Sequence, residues 1–273
     1  MSSSTEEPTL ATEAQVGEDT FDPAPARRKR RLDRETVLML IVPPCLVLLV
    51  FGGFVVWRQT ADLDSVELSQ LRWKTVFTLI WEHTELTLVS SAFVVLIAVP
   101  LGILLTRGRM RRFAPLVVGF ANAGQGAPAV GMIVLLAIWL GYGFWTAVLS
   151  LTIYGLLPVL RNTITGIEGV DPTLVEAGRG LGMSGFAVLT RIELPLALPV
   201  IMAGIRTALV LVVGTATLAT FINGGGLGDI LQTGISLFRP SLMIAGAVLV
   251  ALLALLVEWL GRLLELLTRP KGI

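Results

Sequence analysis

The sequence predicts an all-α, polytopic membrane helical bundle of about six transmembrane helices, with both termini cytoplasmic. Three observations lead there. The 273 residues are 54% hydrophobic and only 15% charged, with mean hydropathy +0.79, against about 25% charged residues in soluble domains. The charge is unevenly placed, so long stretches carry no ionisable side chain. Lys and Arg gather between alternate apolar runs, the pattern of the positive-inside rule.

Composition also excludes chemistries. A net charge of +1 gives no basis for a nucleic-acid partner. One Cys (Cys45) allows no internal disulfide, and with one His (His83) the usual ligand count of a metal site is out of reach. His83 reads as an interfacial residue rather than a ligand.

Taken in chain order, residues 1 to 26 are rich in Ser, Thr, Glu, Pro and Ala and cannot bury enough surface to offset ordering entropy, which predicts a disordered tail. The cluster Arg27, Arg28, Lys29, Arg30, Arg31 and Arg34 follows and is read as topogenic. Thr36 to Trp57 is uncharged and long enough to cross a bilayer, an uncleaved anchor kinked at Pro43-Pro44. Asp64 to Thr84 reads either as a short amphipathic interfacial helix or as a lead-in to the next span, Leu86 to Thr106. Arg107, Arg109, Arg111 and Arg112 close that span.

Phe113 to Leu160 is too long for one helix, and Gly141-Tyr142-Gly143 divides it into two antiparallel spans. The small and polar string from Ala121 to Pro128 predicts an internally packed, broken helix. Arg161 to Glu193 is the longest polar stretch between spans. The chain re-enters at Leu194 to Ile222, turns through Asn223 to Asp229 and crosses again at Leu242 to Leu260. Basic clusters at 27–34, 107–112, Arg161/Arg179/Arg191 and 262–271 then share one side, leaving Arg58, Arg72, Lys74 and Arg239 on the other.

Within the stretch 171–195, Asp171 suits a helix N-cap and Pro172 the first helical position. Gly182 suits the left-handed residue that ends a helix, and Ser184 can cap a second one. The expected product is helix, sharp turn, helix, held against the membrane face. Such an element could dock into a partner's groove or be an ordinary helical loop.

Its spacing, E-A-x-x-x-x-G-x9-I-x-L-P, here Glu176, Ala177, Gly182, Ile192, Leu194 and Pro195, resembles the cytoplasmic loop of binding-protein-dependent ABC importer permeases. Gly178 departs from the Ala more usual in that family, at a cost to helix propensity of up to about 1 kcal/mol. The resemblance covers residues 84–264. Pro100-Leu101-Gly102, LPVLRNT at 157–163, LALPVIMAGIR at 196–206 and GGGLG at 224–228 are similar to the osmoprotectant branch, importers of glycine betaine, choline, carnitine or related quaternary amines.

The resemblance implies an ABC importer permease fold and a division of the chain. Residues 1–34 would be a cytoplasmic tail, 35–83 the first transmembrane helix and external segment, 84–264 the permease domain with coupling loop 161–193, and 265–273 a C-terminal tail. It implies a second permease subunit, as homodimer or sister pair, ATPase subunits that carry ATP and Mg, an external solute-binding protein, and the lipid bilayer. No cofactor is expected on this chain, which has no G-x-x-x-x-G-K-[ST] loop. Glu176 would make polar contact with the ATPase, Ala177 would keep that helix face low, Gly182 would set the turn, and Ile192, Leu194 and Pro195 would anchor the loop. None is catalytic.

Arg206 is an intramembrane charge, either a pathway or gating residue or a packed, snorkelling Arg; Glu258 is its candidate ion-pair partner. Asn122, Gln125 and Asn162 are candidates to line a polar path, or to bond between helices. Gly225, in the Asn223-to-Asp229 turn, marks either an external gate or a tight turn. The scattered Trp residues form no aromatic cage, placing selectivity chiefly in the binding protein. The competing readings are a permease for another solute, such as an amino acid or sulfonate, a membrane enzyme, and a membrane sensor or scaffold.

Overall fold

A computed structural model describes residues 34–268; the tail and most of the basic cluster lie outside them. Among the described residues every regular element is a helix, with no strand. Among the described residues five helices are long and apolar enough to cross a membrane, and a sixth span is counted if one bent pair of helices crosses as a unit.

Helix α1 (Arg34–Thr60) is continuous through Pro43 and Pro44. A proline at 44 leaves the Leu40 carbonyl without its helical donor, and the Trp259 Nε1–H fills that place at 2.8 Å. The defect becomes a lock between α1 and α11 (Pro240–Thr268). Only 6% of the most apolar window of α1 is buried, so its remaining surface suits lipid.

Asp64 and Glu67 form a capping box at α2 (Ser65–Gln70). Trp73 already opens α3 (Trp73–Leu105), so the lead-in reading of the 64–84 segment is correct and the span is longer than its uncharged part. Asp64 also pairs with Arg239, and the Ser241 hydroxyl donates to Glu67, tying α2 to the start of α11.

The next apolar stretch is broken as expected. α4 (Ala114–Gly126) and α5 (Ala129–Leu140) meet at 99°. Ala127 is extended, as a residue before proline prefers, and Pro128 begins a new direction. Gly141 and Gly143, at φ 90° and 132°, turn the chain into α6 (Phe144–Glu168).

α6 is the most buried of the spans and packs on α3, α4, α5 and α9 (Leu194–Ala216). Close approach explains two of its contacts. A Cβ on Gly102 would lie 2.7 Å from Thr163, and one on Gly204 would lie 2.5 Å from the Asn162 Cβ. After α9 a 3-10 turn (Thr217–Ile222) and the glycine-rich segment lead to α10 (Gly228–Ser236) and α11. α11 runs to Thr268, past the expected tail boundary at 264.

Candidate functional site: the loop between α6 and α9

Between α6 and α9 the chain forms α7 (Pro172–Gly180), a turn and α8 (Gly185–Val188). Every terminus has its partner. The Asp171 carboxylate accepts the Thr173 hydroxyl at 2.7 Å and its N–H at 2.9 Å. These bonds favour the ionised form and hold the Asp171 carboxyl below its ordinary value of 3.8. At the other end Gly182 is left-handed, φ 81°. Its N–H bonds the Arg179 carbonyl and that of Met183 bonds the Gly178 carbonyl, at 2.9 and 3.1 Å. That pair of bonds is a Schellman stop. Ser184 Oγ then accepts the Ala187 N–H and caps α8.

The second short helix does not end before the next span. α8 continues through a π-turn, Leu189–Glu193, into α9. The Leu194 N–H reaches back five residues to the Leu189 carbonyl. Pro195 explains the widened turn: its ring would clash with the Arg191 carbonyl in a regular helix.

The underside of this loop is packed. Ile167, Val170, Ala197 and Ile201 form a small core, with Val175, Leu189 and Leu194 against it. Gly178 is buried, and a Cβ there would lie 2.5 Å from the Ile192 Cδ1. The departure from Ala therefore makes room for Ile192. The outer face is open: Glu176 and Ala177 are exposed, and Leu181 and Phe186 are 84% and 75% exposed. Glu176 takes part in no ion pair among the described residues.

One tether has no counterpart in the sequence reading. Glu193, its side chain only 7% exposed, receives both terminal nitrogens of Arg107 and joins the loop to the end of α3. A bidentate pair is well suited to fixing orientation. Arg111 adds a more exposed pair with Glu168 at 3.1 Å. The available signal was a lone carboxylate inside the I-x-L-P segment.

The candidate pathway residues do not converge on one cavity. Asn122 is exposed and accepts a long bond, 3.4 Å, from Arg161; Gln125 is half-buried beside it on α4. Asn162 donates to the Pro158 carbonyl of its own helix. Arg206 does not pair with Glu258. It pairs with Glu265 at 2.6 Å, while Glu258 is held by Arg262 one helical turn away at 2.7 Å. Arg206 and Glu258 do line one cavity of about 470 Å³ with Thr207.

Gly225 stands at the opposite end of the bundle from α7. It and Gly226, at φ 79° and 97°, fold the segment onto the start of α3. Glu82 Oε2 accepts the Gly226 N–H at 3.1 Å. His83 is fully buried rather than interfacial: Nδ1 accepts the Leu227 N–H and Nε2 donates to the Val213 carbonyl. This turn is an irregular segment locked onto α3, followed by its own helix, rather than a tight hairpin.

The described residues form an all-helical bundle with a bent helix pair, a capped loop helix and a glycine segment at the far end, and its similarity to known proteins identifies the class as a membrane transport component. Residues 98–270 match the family described as binding-protein-dependent transport system inner membrane component, and the chain belongs to that family. It is 43% identical over 192 residues to the glycine betaine/carnitine/choline transport system permease protein OpuCB of Bacillus subtilis (strain 168), covering 70% of this chain and 88% of that one. It is 42% identical over 193 residues to the choline transport system permease protein OpuBB of the same organism (71% and 88% covered). It is 38% identical over 201 residues to the osmoprotectant import permease protein OsmW of Salmonella typhimurium (72% and 93%). In fold it is similar to the inward-facing MetNI methionine ABC transporter, with TM-score 0.62 and 24% identity over 71% of this chain and 96% of that one. It is also similar to an amino acid ABC transporter crystallised with histidines, with TM-score 0.60 and 19% identity over 75% and 99%.

Proposed function

We propose that this chain is the membrane-spanning subunit of an ATP-driven importer of quaternary-amine osmoprotectants, and that the α7 loop receives the motion of a separate ATPase. The observation that carries the reading is the loop itself. A short helix capped at both ends, seated on a packed core and pinned through Glu193, presents an open face of Glu176, Ala177 and Leu181. A rigid ledge can transmit displacement to α6 and α9; a frayed loop would absorb it.

In this reading the α7 end is cytoplasmic, because Arg107, Arg109, Arg111, Arg112, Arg161, Arg179 and Arg191 gather there. The glycine segment faces outward, where a solute-binding protein delivers substrate. ATP and Mg belong to the ATPase. A second permease, identical or a sister chain, completes the pathway. Glycine betaine, carnitine and choline are the solutes named for two of these relatives, and all carry a quaternary ammonium group.

The test is uptake by proteoliposomes containing this chain with its genomically adjacent ATPase and binding protein. ATP-dependent entry of radiolabelled glycine betaine, choline or carnitine is the expected result. An assembled complex that moves none of them but moves another solute would overturn the osmoprotectant assignment.

A further inference from the structure

At the glycine-segment end a cavity of about 680 Å³ opens between α3, the start of α6 and α10, within the size range of small-molecule sites. Two carboxylates from different elements line it, Glu82 of α3 and Asp229 of α10, with no Lys, Arg or His in the lining. Neither takes part in an ion pair among the described residues. Glu82 is oriented by the Gly226 N–H, and Gly225 keeps its surroundings open: a Cβ there would lie 2.8 Å from Glu82 Oε2. Phe144 supplies an aromatic ring. The Thr220 hydroxyl donates to Gln232 Oε1 at 3.1 Å on a further wall.

Two uncompensated carboxylates and a phenyl ring, walled by neutral polar groups, suit a small organic cation. They do not suit a zwitterion equally, because its own carboxylate would meet like charge. We infer that this cavity is a binding site for quaternary ammonium ions in the permease itself, held by Glu82, Asp229 and Phe144, and that it favours choline-type cations over betaine-type zwitterions. The inference rests on the transport reading for its purpose, but binding is measurable without transport.

The probe is tetramethylammonium, whose methyl protons report binding by saturation transfer from the full-length protein in nanodiscs. We expect a signal that choline displaces and that glycine betaine displaces only at fivefold or higher concentration. Asp229→Asn and Glu82→Gln should each reduce it at least fivefold, and Phe144→Leu at least twofold. Gln at 82 keeps an acceptor for Gly226, so its effect reports charge rather than folding. Absent transfer in wild type, an unchanged signal in both charge variants, or equal displacement by choline and glycine betaine would overturn the site while leaving uptake untouched. Binding without uptake would preserve the site and overturn the transport reading.

Discussion

Gly178 shows how one atom of space sets the loop. Its helical cost was legible in the sequence; its benefit, the seat for Ile192, depends on a turn that brings residue 192 back under residue 178. Gly178→Val should lower uptake about tenfold at normal membrane levels, and Ile192→Ala added to it should restore part of the loss. Glu193 makes a second residue-scale case. Glu193→Ala would strand Arg107 and cost about 1.5–3 kcal/mol, seen as a lower thermal unfolding midpoint in detergent. Arg107→Lys should lose less, because it keeps the charge but not the fork. Asp171 gives a pH sign. Its folded value is depressed, so its contribution is fully present above pH 3.8 and is lost as pH falls through the depressed value. Hydrogen exchange in α7 should therefore be insensitive to this group between pH 5 and pH 8 (about the physiological range), and Asp171→Ala should accelerate it throughout.

At the scale of elements, most of what repeats locally was readable. Uncharged runs located the spans, Pro128 the break, and Asp171, Gly182 and Ser184 the limits of the loop helices. Each depends on residues a few positions apart. The pairings that fix elements to one another were not readable. Arg107 meets Glu193 across 86 positions, Arg206 meets Glu265 across 59, and Glu82 meets Gly226 across 144. Position alone makes Glu258 a candidate partner for Arg206, but Arg262, four residues on, claims it through a helical pair. His83 reads as interfacial beside Trp81 and Glu82, yet folding of residues 226–227 onto α3 buries it. The α1–α11 lock was hidden in the same way. Trp259→Phe keeps the packing but loses the bond to Leu40; it should cost about 1 kcal/mol and speed amide exchange in the first half of α1.

At the scale of the molecule, the bundle has two differently built ends. One carries Arg107, Arg111, Arg161, Arg179, Arg191 and the α7 ledge; the other carries the glycine segment and an acidic cavity. Orientation is open to direct measurement in a Cys45→Ser background. Leu181→Cys should react with a membrane-impermeant maleimide only in inside-out vesicles, and Tyr142→Cys only in intact cells, since both positions are exposed. The reverse pattern would invert the topology and remove the ledge from the ATPase. The most direct test joins the two ends: ATP hydrolysis and quaternary-amine uptake measured together in proteoliposomes, for wild type, Glu176→Lys and Gly182→Trp. Wild type should couple the two, and both variants should lose uptake with normal assembly in the membrane. Undiminished, ATP-dependent uptake in both variants would contradict the assignment of the α7 loop as the coupling element.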